Sequence, residues 1–326
     1  MFAFLSSLIG VLGWSYLGSL LLWFGLRSLF FDRFWWLALL NTFAPYLFLP
    51  LFVLLPLAVW SREKRLSIAL SLSCVLFIAL FPPRLNFPAT ARRTEVLKVM
   101  TFNLLWSNQN YPKITQMIRS MDADIVGVQE LQPKELPNLL KAISPIYPYH
   151  AIHPVDRFHT VALFSRLPIE SIKPLSDPPI GRGLQGIVRY KDRSISVLAT
   201  HLTPNNIPLD RLVAETIDRY TRRAAETEFL KKFIPERSLP TIMLCDCNMT
   251  DSSETYYELR KVLKDSFQER GQGIGHTLVS NIVPFAVQRL DYVWHTGDLQ
   301  PIEAFVGSDG GSDHLPVIAS FIVPKG

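Results

Sequence analysis

From residue 96 onward, the short apolar runs end in polar side chains suited to phosphate or metal chemistry. Asn103 follows VMTF, Glu130 follows IVGVQ, His201 follows VLAT, Asp246 and Asn248 close TIMLC, Asp291 interrupts RLDYV, and Asp313-His314 precede PVIAS. Singly, each has an ordinary reading: Asn103 as a turn residue, Glu130 as a charge at a helix start, His201 as a satisfied strand-end histidine, Asp246 with Asn248 as an Asx turn. Turns do not account for the whole set. If the runs are strands sharing one sheet edge, two histidines, three aspartates, one glutamate and two asparagines converge there. Such a polar pit can hold a hard divalent cation through carboxylate and amide oxygens while imidazoles and amides face a phosphate.

The elements that must position these residues are legible from periodicity. Strand-like runs occur at 96–104, 124–131, 160–169, 185–202, 241–248, 289–296 and 316–323, and the 185–202 run reads as a hairpin across Lys191-Asp192-Arg193. Amphipathic helices are predicted at 111–121, 134–143 and across 209–234. Strands interleaved with helices and hairpins point to an α/β or α+β layered domain on mixed sheets.

The first 90 residues have a different composition. They carry six basic and two acidic side chains, leaving twenty-seven basic and twenty-six acidic for the remainder, so most of the net charge of +5 lies between apolar runs. That placement suits membrane orientation better than nucleic-acid binding. Phe2 to Leu26 is uncharged and long enough to cross roughly 30 Å of hydrocarbon. Residues 34–60 form a second uncharged run, with Trp35, Trp36 and Trp60 as interfacial anchors and Pro45, Pro50 and Pro56 as expected kinks. The third, Leu66 to Phe81, is near the lower length limit and reads as either a span or a re-entrant segment. A cleaved signal peptide is disfavoured, because no basic region precedes the first run and two more runs follow. The expected organisation is a membrane region over 1–82 with two to three transmembrane helices, a Pro-containing linker over 83–95, and a catalytic domain over 96–326. Counting loop charges favours a cytoplasmic domain, whereas the dense Arg62-Glu63-Lys64-Arg65 cluster in the shortest loop favours an external one. The adopted expectation is an integral protein of the plasma (inner) membrane with an extracytoplasmic catalytic domain. Cys74, Cys245 and Cys247 are expected as free thiols, the last two being only two residues apart.

TFNL at 101–104, QE at 129–130, THL at 200–202, DCN at 246–248, RLDY at 289–292 and SDH at 312–314 follow one another in a known order. Over roughly residues 96–322 the chain resembles the endonuclease/exonuclease/phosphatase superfamily, with its deoxyribonuclease-I-like fold. The resemblance implies a four-layered α/β sandwich, two mixed β-sheets flanked by helices, here preceded by an α-helical transmembrane region. It also implies phosphoester cleavage dependent on Mg²⁺ or Mn²⁺.

Carried over position by position, the resemblance makes Glu130 the principal metal ligand, with Asn103 beside it and Asp313 contributing. Asp246 would orient or deprotonate the attacking water, and Asn248 would donate to the phosphate. His314, held by Asp291, would face the phosphate as a charged or proton-donating imidazole, and His201 would stabilise charge on the phosphoryl group or leaving oxygen. The usual Gly-Asp-Phe-Asn is here Cys245-Asp246-Cys247-Asn248, which keeps both functional side chains. Leu105 stands where the abasic-site repair branch has an aspartate, and this argues against that branch. The favoured function is a membrane-anchored phosphohydrolase whose partners are the lipid bilayer and a phosphorylated, lipid-linked or membrane-proximal substrate. A membrane-tethered nuclease, with Arg219, Arg222, Arg223, Lys231 and Lys232 tracking a phosphate backbone, is the alternative. An inactive interaction module is a second alternative.

Overall fold

The computed structural model describes residues 2–86, 96–154, 160–175, 182–205, 207–236, 238–280, 283 and 285–324. Most of the expected linker 83–95, including Arg92 and Arg93, therefore lies outside the described residues. Two units are distinguished by their internal packing: Met1–Pro83 with Arg211–Ile217 and Ser252–Glu254, and the remainder.

The apolar N-terminal region forms α1 (Phe2–Phe30), α2 (Trp35–Thr42), α3 (Leu51–Trp60) and α4 (Lys64–Leu80). Leu17, Leu20, Trp23, Leu37, Phe48, Leu66 and Leu70 build its core. Within α1, residues Phe4–Phe30 are long and apolar enough to cross a membrane. The 34–60 run is broken, with α2 and residues 44–60 meeting at 76°. Pro45 opens a 3-10 turn there and Pro50 caps α3, so neither can continue the preceding hydrogen-bond ladder. The 17-residue α4 falls short of the roughly 20 residues that a span requires.

The rest of the chain runs β1 (Arg84–Leu85), β2 (Val96–Asn103), α5 (Tyr111–Met121), β3 (Ile125–Leu131), α6 (Leu136–Ile143), β4 (Tyr149–Pro154), β5 (Thr160–Ser165), β6 (Ile169–Pro174), β7 (Gly183–Tyr190), β8 (Arg193–His201), α7 (Leu212–Phe233), β9 (Thr241–Asp246), α8 (Glu254–Leu259), β10 (Lys264–Asp265), α9 (Ser266–Arg270), β11 (Gln272–Gly273), β12 (Leu278–Val279), β13 (Ala286–Gln288), β14 (Asp291–His295), β15 (Gln300–Val306) and β16 (Val317–Ile322). Two six-stranded sheets result, ordered β15-β16-β2-β3-β5-β4 and β10-β14-β9-β8-β7-β6. Both are mixed: β2 and β3 are parallel, as are β8 and β9, and the other neighbours in the two sheets are antiparallel. The parallel pairs need crossovers, which α5 and α7 supply.

Alternation along the strands gives each sheet two apolar faces, and both are covered. Leu97, Val99, Ile125, Leu163, Val197, Ala199, Leu244 and Val293 pack between the sheets. Phe102, Val126 and Phe164 pack outward with Ile114, Ile118 and Leu139 of α5 and α6, and Leu198, Met243 and Trp294 pack with Leu230, Phe233 and Tyr256 of α7 and α8. The result is the expected four-layered α/β sandwich. The sheets approach closely at Gly127, where a Cβ would lie 2.8 Å from that of Leu244.

The expected hairpin closes at Tyr190↔Arg193, leaving Lys191-Asp192 as a two-residue turn with Lys191 at φ 56°. Besides the two- and three-residue strands, β4, β15 and β6 of the described residues escape periodicity, the last lying within and beyond the 160–169 run. Each is a sheet edge, and YHAIHP, IESIKP and QPIEAFV carry the prolines and charges that edges tolerate.

Below the site, Arg289 enters β14 as a buried cation. It donates to both Asp265 oxygens at 2.6 and 2.5 Å, and Asp265 also accepts from Tyr256 Oη at 2.8 Å and from Phe267 N at 2.9 Å. Asp265→Ala is expected to destabilise the fold by about 3–5 kcal/mol, because it strands a buried charge. Chemical unfolding of the full chain in detergent, followed by tryptophan fluorescence, measures this. A change below about 1 kcal/mol would place the pair among the weak ones.

Candidate active site

The registers of the two sheets bring the strand-end residues together. In one sheet His201 pairs in register with Asp246, and Asp246 pairs with Asp291, so three functional residues lie abreast on β8, β9 and β14. In the other, Asn103 on β2 is opposite Gln129 on β3, one residue before Glu130. A bulge between Val128 and Leu131 turns Glu130 to φ 55°, and Leu105 and Asn248 adopt φ 60° and 48°. Left-handed backbone at non-glycine residues is sparsely populated and concentrates where surrounding contacts enforce it.

Those contacts are present. Glu130 Oε2 accepts from Trp106 N at 3.0 Å, and the 104–110 turn is held by Gln132 donating to Trp106 O and by Asn108 donating to Leu104 O and Gly311 O. Asn103 Nδ2 donates across the sheets to Asp246 Oδ2 at 2.8 Å, and its Oδ1 accepts from Leu105 N at 2.9 Å. His314 Nδ1 lies 2.7 Å from Asp291 Oδ2. His201 Nε2 sits 3.6 Å from Glu130 Oε1 and 3.5 Å from Asp246 Oδ2. Asp246 belongs to both close groups of potential ligands, Glu130–His201–Asp246 and Asp246–Asp291–His314.

Burial sharpens the electrostatics. The Asp246 carboxyl is pushed up to about 6, first by burial and then by the Asp291 charge, against His314, His201 and Asn103. Burial opposes charge on His314 too, but Asp291, Asp246, the hydrogen bond that Nδ1 donates to Asp291 and the Asp313 charge raise it to about 10, so this imidazole is protonated at neutral pH. His201 goes the other way: burial lowers it, despite Asp246 and Glu130, and it is neutral. Burial by itself would raise Glu130, but its polar surroundings, among them the Trp106 N–H, Asn103 and the His314 charge, hold it below its usual range. The two histidines thus carry different charges in one site.

The donor set fits a hard divalent cation. Two carboxylates converge, and His201 Nε2 and Asp291 Oδ1 are buried without a hydrogen-bond partner. Asp313 lies outside both ligand groups; its Oδ1 is 3.4 Å from Ser312 Oγ. Asn248 Nδ2 donates to Leu202 O at 3.1 Å and its N–H to Asp246 Oδ1 at 3.1 Å.

Two expectations are corrected. Cys245 and Cys247 are joined by a disulfide rather than free, because the chain turns at Asp246 and brings their Cα atoms to 5.2 Å, inside the range a bridge requires. The basic residues named in 209–234 form only part of an open stripe, with Arg222 and Lys232 exposed. Arg223 is buried, Arg219 donates to Pro204 O, Arg222 pairs with Asp218, and Lys231 pairs with Glu228 and Glu258. Two residues given no role from the sequence also shape the site. Thr277 Oγ1 accepts from Asp291 N at 3.2 Å, and Ser312 Oγ donates to Asn103 O at 2.7 Å. An Ser or Thr with a tertiary partner leaves no local signature.

The sequence profile of the Endonuclease/Exonuclease/phosphatase family matches residues 100–314. Among solved structures, the mannosyl-6-phosphatase of Bacteroides thetaiotaomicron is 20% identical with a TM-score of 0.56, over 69% of this chain and 99% of that one. A 3′ phosphatase from Neisseria, bound to a product DNA hairpin, is 17% identical with a TM-score of 0.56, over 68% and 98%. An AP endonuclease from Archaeoglobus fulgidus is 16% identical with a TM-score of 0.55, over 68% and 98%. At these identities the likeness is one of fold. No curated protein matches the chain.

If Asp291 orients His314, the two act as a unit. His314→Ala is expected to lower phosphoester turnover about 10²–10⁴-fold, Asp291→Asn to lower it while the fold persists, and the double variant to match His314→Ala. A double-mutant cycle on kcat checks this, and fully additive losses would reject the pairing.

Proposed function

Because the chain belongs to the endonuclease/exonuclease/phosphatase family, we propose that it is a membrane-anchored, divalent-metal-dependent phosphoester hydrolase acting on a lipid-linked or membrane-proximal phosphate. One observation carries the chemistry: Asp246 is shared between a carboxylate–histidine group open to a cation and a carboxylate-held imidazolium. A bound Mg²⁺ or Mn²⁺, held by Glu130 with Asn103, would supply charge neutralisation at the phosphate. The protein's residues do the rest. Asp246, raised toward neutrality, is suited to orient a water and accept its proton. The His314 imidazolium, fixed by Asp291, faces the phosphate oxygens as a cation and donor, and Asn248 adds a neutral donor. Neutral His201 stands between Glu130 and Asp246, within reach of charge building on the leaving oxygen.

The membrane part of the proposal rests on the outer surface of the helical unit. Val11, Leu21, Leu22, Phe52, Val53, Ile68, Leu72 and Val75 are each more than 60% exposed, a surface suited to lipid rather than water. A bridge between Cys245 and Cys247 is in keeping with an oxidising compartment, hence with an extracytoplasmic domain. The nuclease alternative keeps only part of the basic stripe it invokes, since Arg223 is buried and Arg219 and Lys231 are tied to neighbours. The inactive-module alternative has to explain why every motif residue is present.

Incubating the full-length protein with undecaprenyl pyrophosphate, sphingomyelin or plasmid DNA, each with Mg²⁺ or EDTA, separates these readings. Metal-dependent release of phosphate or phosphocholine from a lipid arm is expected, whereas plasmid nicking alone would favour the nuclease. Glu130→Gln removes a charge at nearly constant volume and is expected to cost several kcal/mol of transition-state stabilisation, at least about a hundredfold in rate. Wild-type rates from this variant, or full activity of the wild type in excess EDTA, would sink the metal assignment. The anchor predicts retention in membranes after carbonate and high-salt washing, and release by that treatment would count against it.

A further inference from the structure

We infer that Arg223 and Asn205 are positioning residues, forming a relay from α7 that fixes Asn248 in the candidate active site. This role rests on the phosphoester reading above.

The relay is continuous in hydrogen bonds. Arg223 is 1% exposed, although it lies in a helix rich in exposed charge. Its Nη1 donates to Thr203 O at 2.9 Å and to Asn205 Oδ1. Asn205 Nδ2 donates in turn to Asn248 O at 3.0 Å. Two neighbours on α7 hold the same loop: Glu226 accepts from Thr203 N at 2.9 Å and Thr203 Oγ1 at 2.8 Å, and Arg219 donates to Pro204 O at 2.9 Å. Three residues apart on one helical face, Arg223 and Glu226 also offset each other's charge.

The loop they hold, 202–205, begins directly after His201 and receives the Asn248 side chain at Leu202 O. Asn248 has φ 48°, a conformation that an asparagine tolerates but does not favour. It therefore needs external fixing on both its carbonyl and its side chain, and the 202–205 loop supplies both. Burying a guanidinium is unfavourable unless its donors are satisfied. Its place here is explained by the loop it holds, since a solvent-facing arginine would leave residues 203–205 without that tie to α7.

The test uses the full-length chain in detergent with bis(p-nitrophenyl) phosphate and Mn²⁺. Arg223→Gln and Asn205→Ala are each expected to lower kcat about tenfold, with KM and the Mn²⁺ concentration for half-activity within about twofold. Arg223→Lys, which keeps the charge and a donor, is expected to recover most of the loss. In an Asn248→Ala background, either substitution should lower kcat by less than about twofold. Equal losses in both backgrounds, or an unchanged kcat in the single variants, would overturn the relay. Asn205→Ala leaves the buried Arg223 and Glu226 in place, so it decides the matter if Arg223→Gln does not fold. Hydrogen exchange read by mass spectrometry gives an arm independent of activity. Arg223→Gln should speed exchange at 202–205 and 247–249 but not in β2 or β3, and unchanged exchange at 247–249 would overturn the relay. Absence of hydrolysis by the wild type, with this probe and with the lipid and DNA substrates, would overturn the phosphoester reading, and the exchange arm would still decide the clamp.

Discussion

A buried carboxylate, Asp246, is the constraint on which the site depends. It is 1% exposed, and a charge in that position is tolerated only with partners. The partners come from both sheets: Asn103 donates from the far sheet, His201 and Asp291 flank it on neighbouring strands, and Asn248 returns its own N–H. Both sheets must therefore pack face to face at one separation, which the missing side chain of Gly127 permits. The parallel β8–β9 pair and the antiparallel β14 are needed together, because only that arrangement puts the end of two strands and the start of a third on one edge.

Beside this carboxylate, different neighbours divide the chemistry of the two histidines. His314 gains Asp291 as a hydrogen-bonded neighbour and keeps its proton, whereas His201, buried and without a hydrogen-bond partner at Nε2, loses it. Environment rather than residue type thus separates a cationic role from a neutral one, a pattern common where one site must carry both acid and base chemistry.

Support reaches the site from well outside it. The Arg289–Asp265 pair anchors the entry to β14 two residues before Asp291, and Tyr292 Oη donates to Met249 O at 2.9 Å, just beyond Asn248. The disulfide brackets Asp246 itself. Loops that carry function are held here by long-range side-chain bonds, since their own backbone has few partners.

Sequence alone determined the layered α/β class, a hairpin turning within 191–193 and the helices at 111–121, 134–143 and 209–234, because alternation and amphipathic spacing are local consequences of burying one face. It also determined the identities of the polar strand-end residues, since each terminates a run that can be read without its neighbours. Edge strands β4, β6 and β15 were not legible, because an edge needs no full apolar face. The direction in which Arg223 and Arg219 point was not legible either: a helix full of charge looks solvated until the loop beneath it is in place. The Cys245–Cys247 bridge was decided by the local backbone path around Asp246, whereas the different charges on His201 and His314 and the sharing of Asp246 by two ligand groups were decided by tertiary structure. The last two depend on distances between residues far apart in the chain, or on burial that one strand cannot supply by itself.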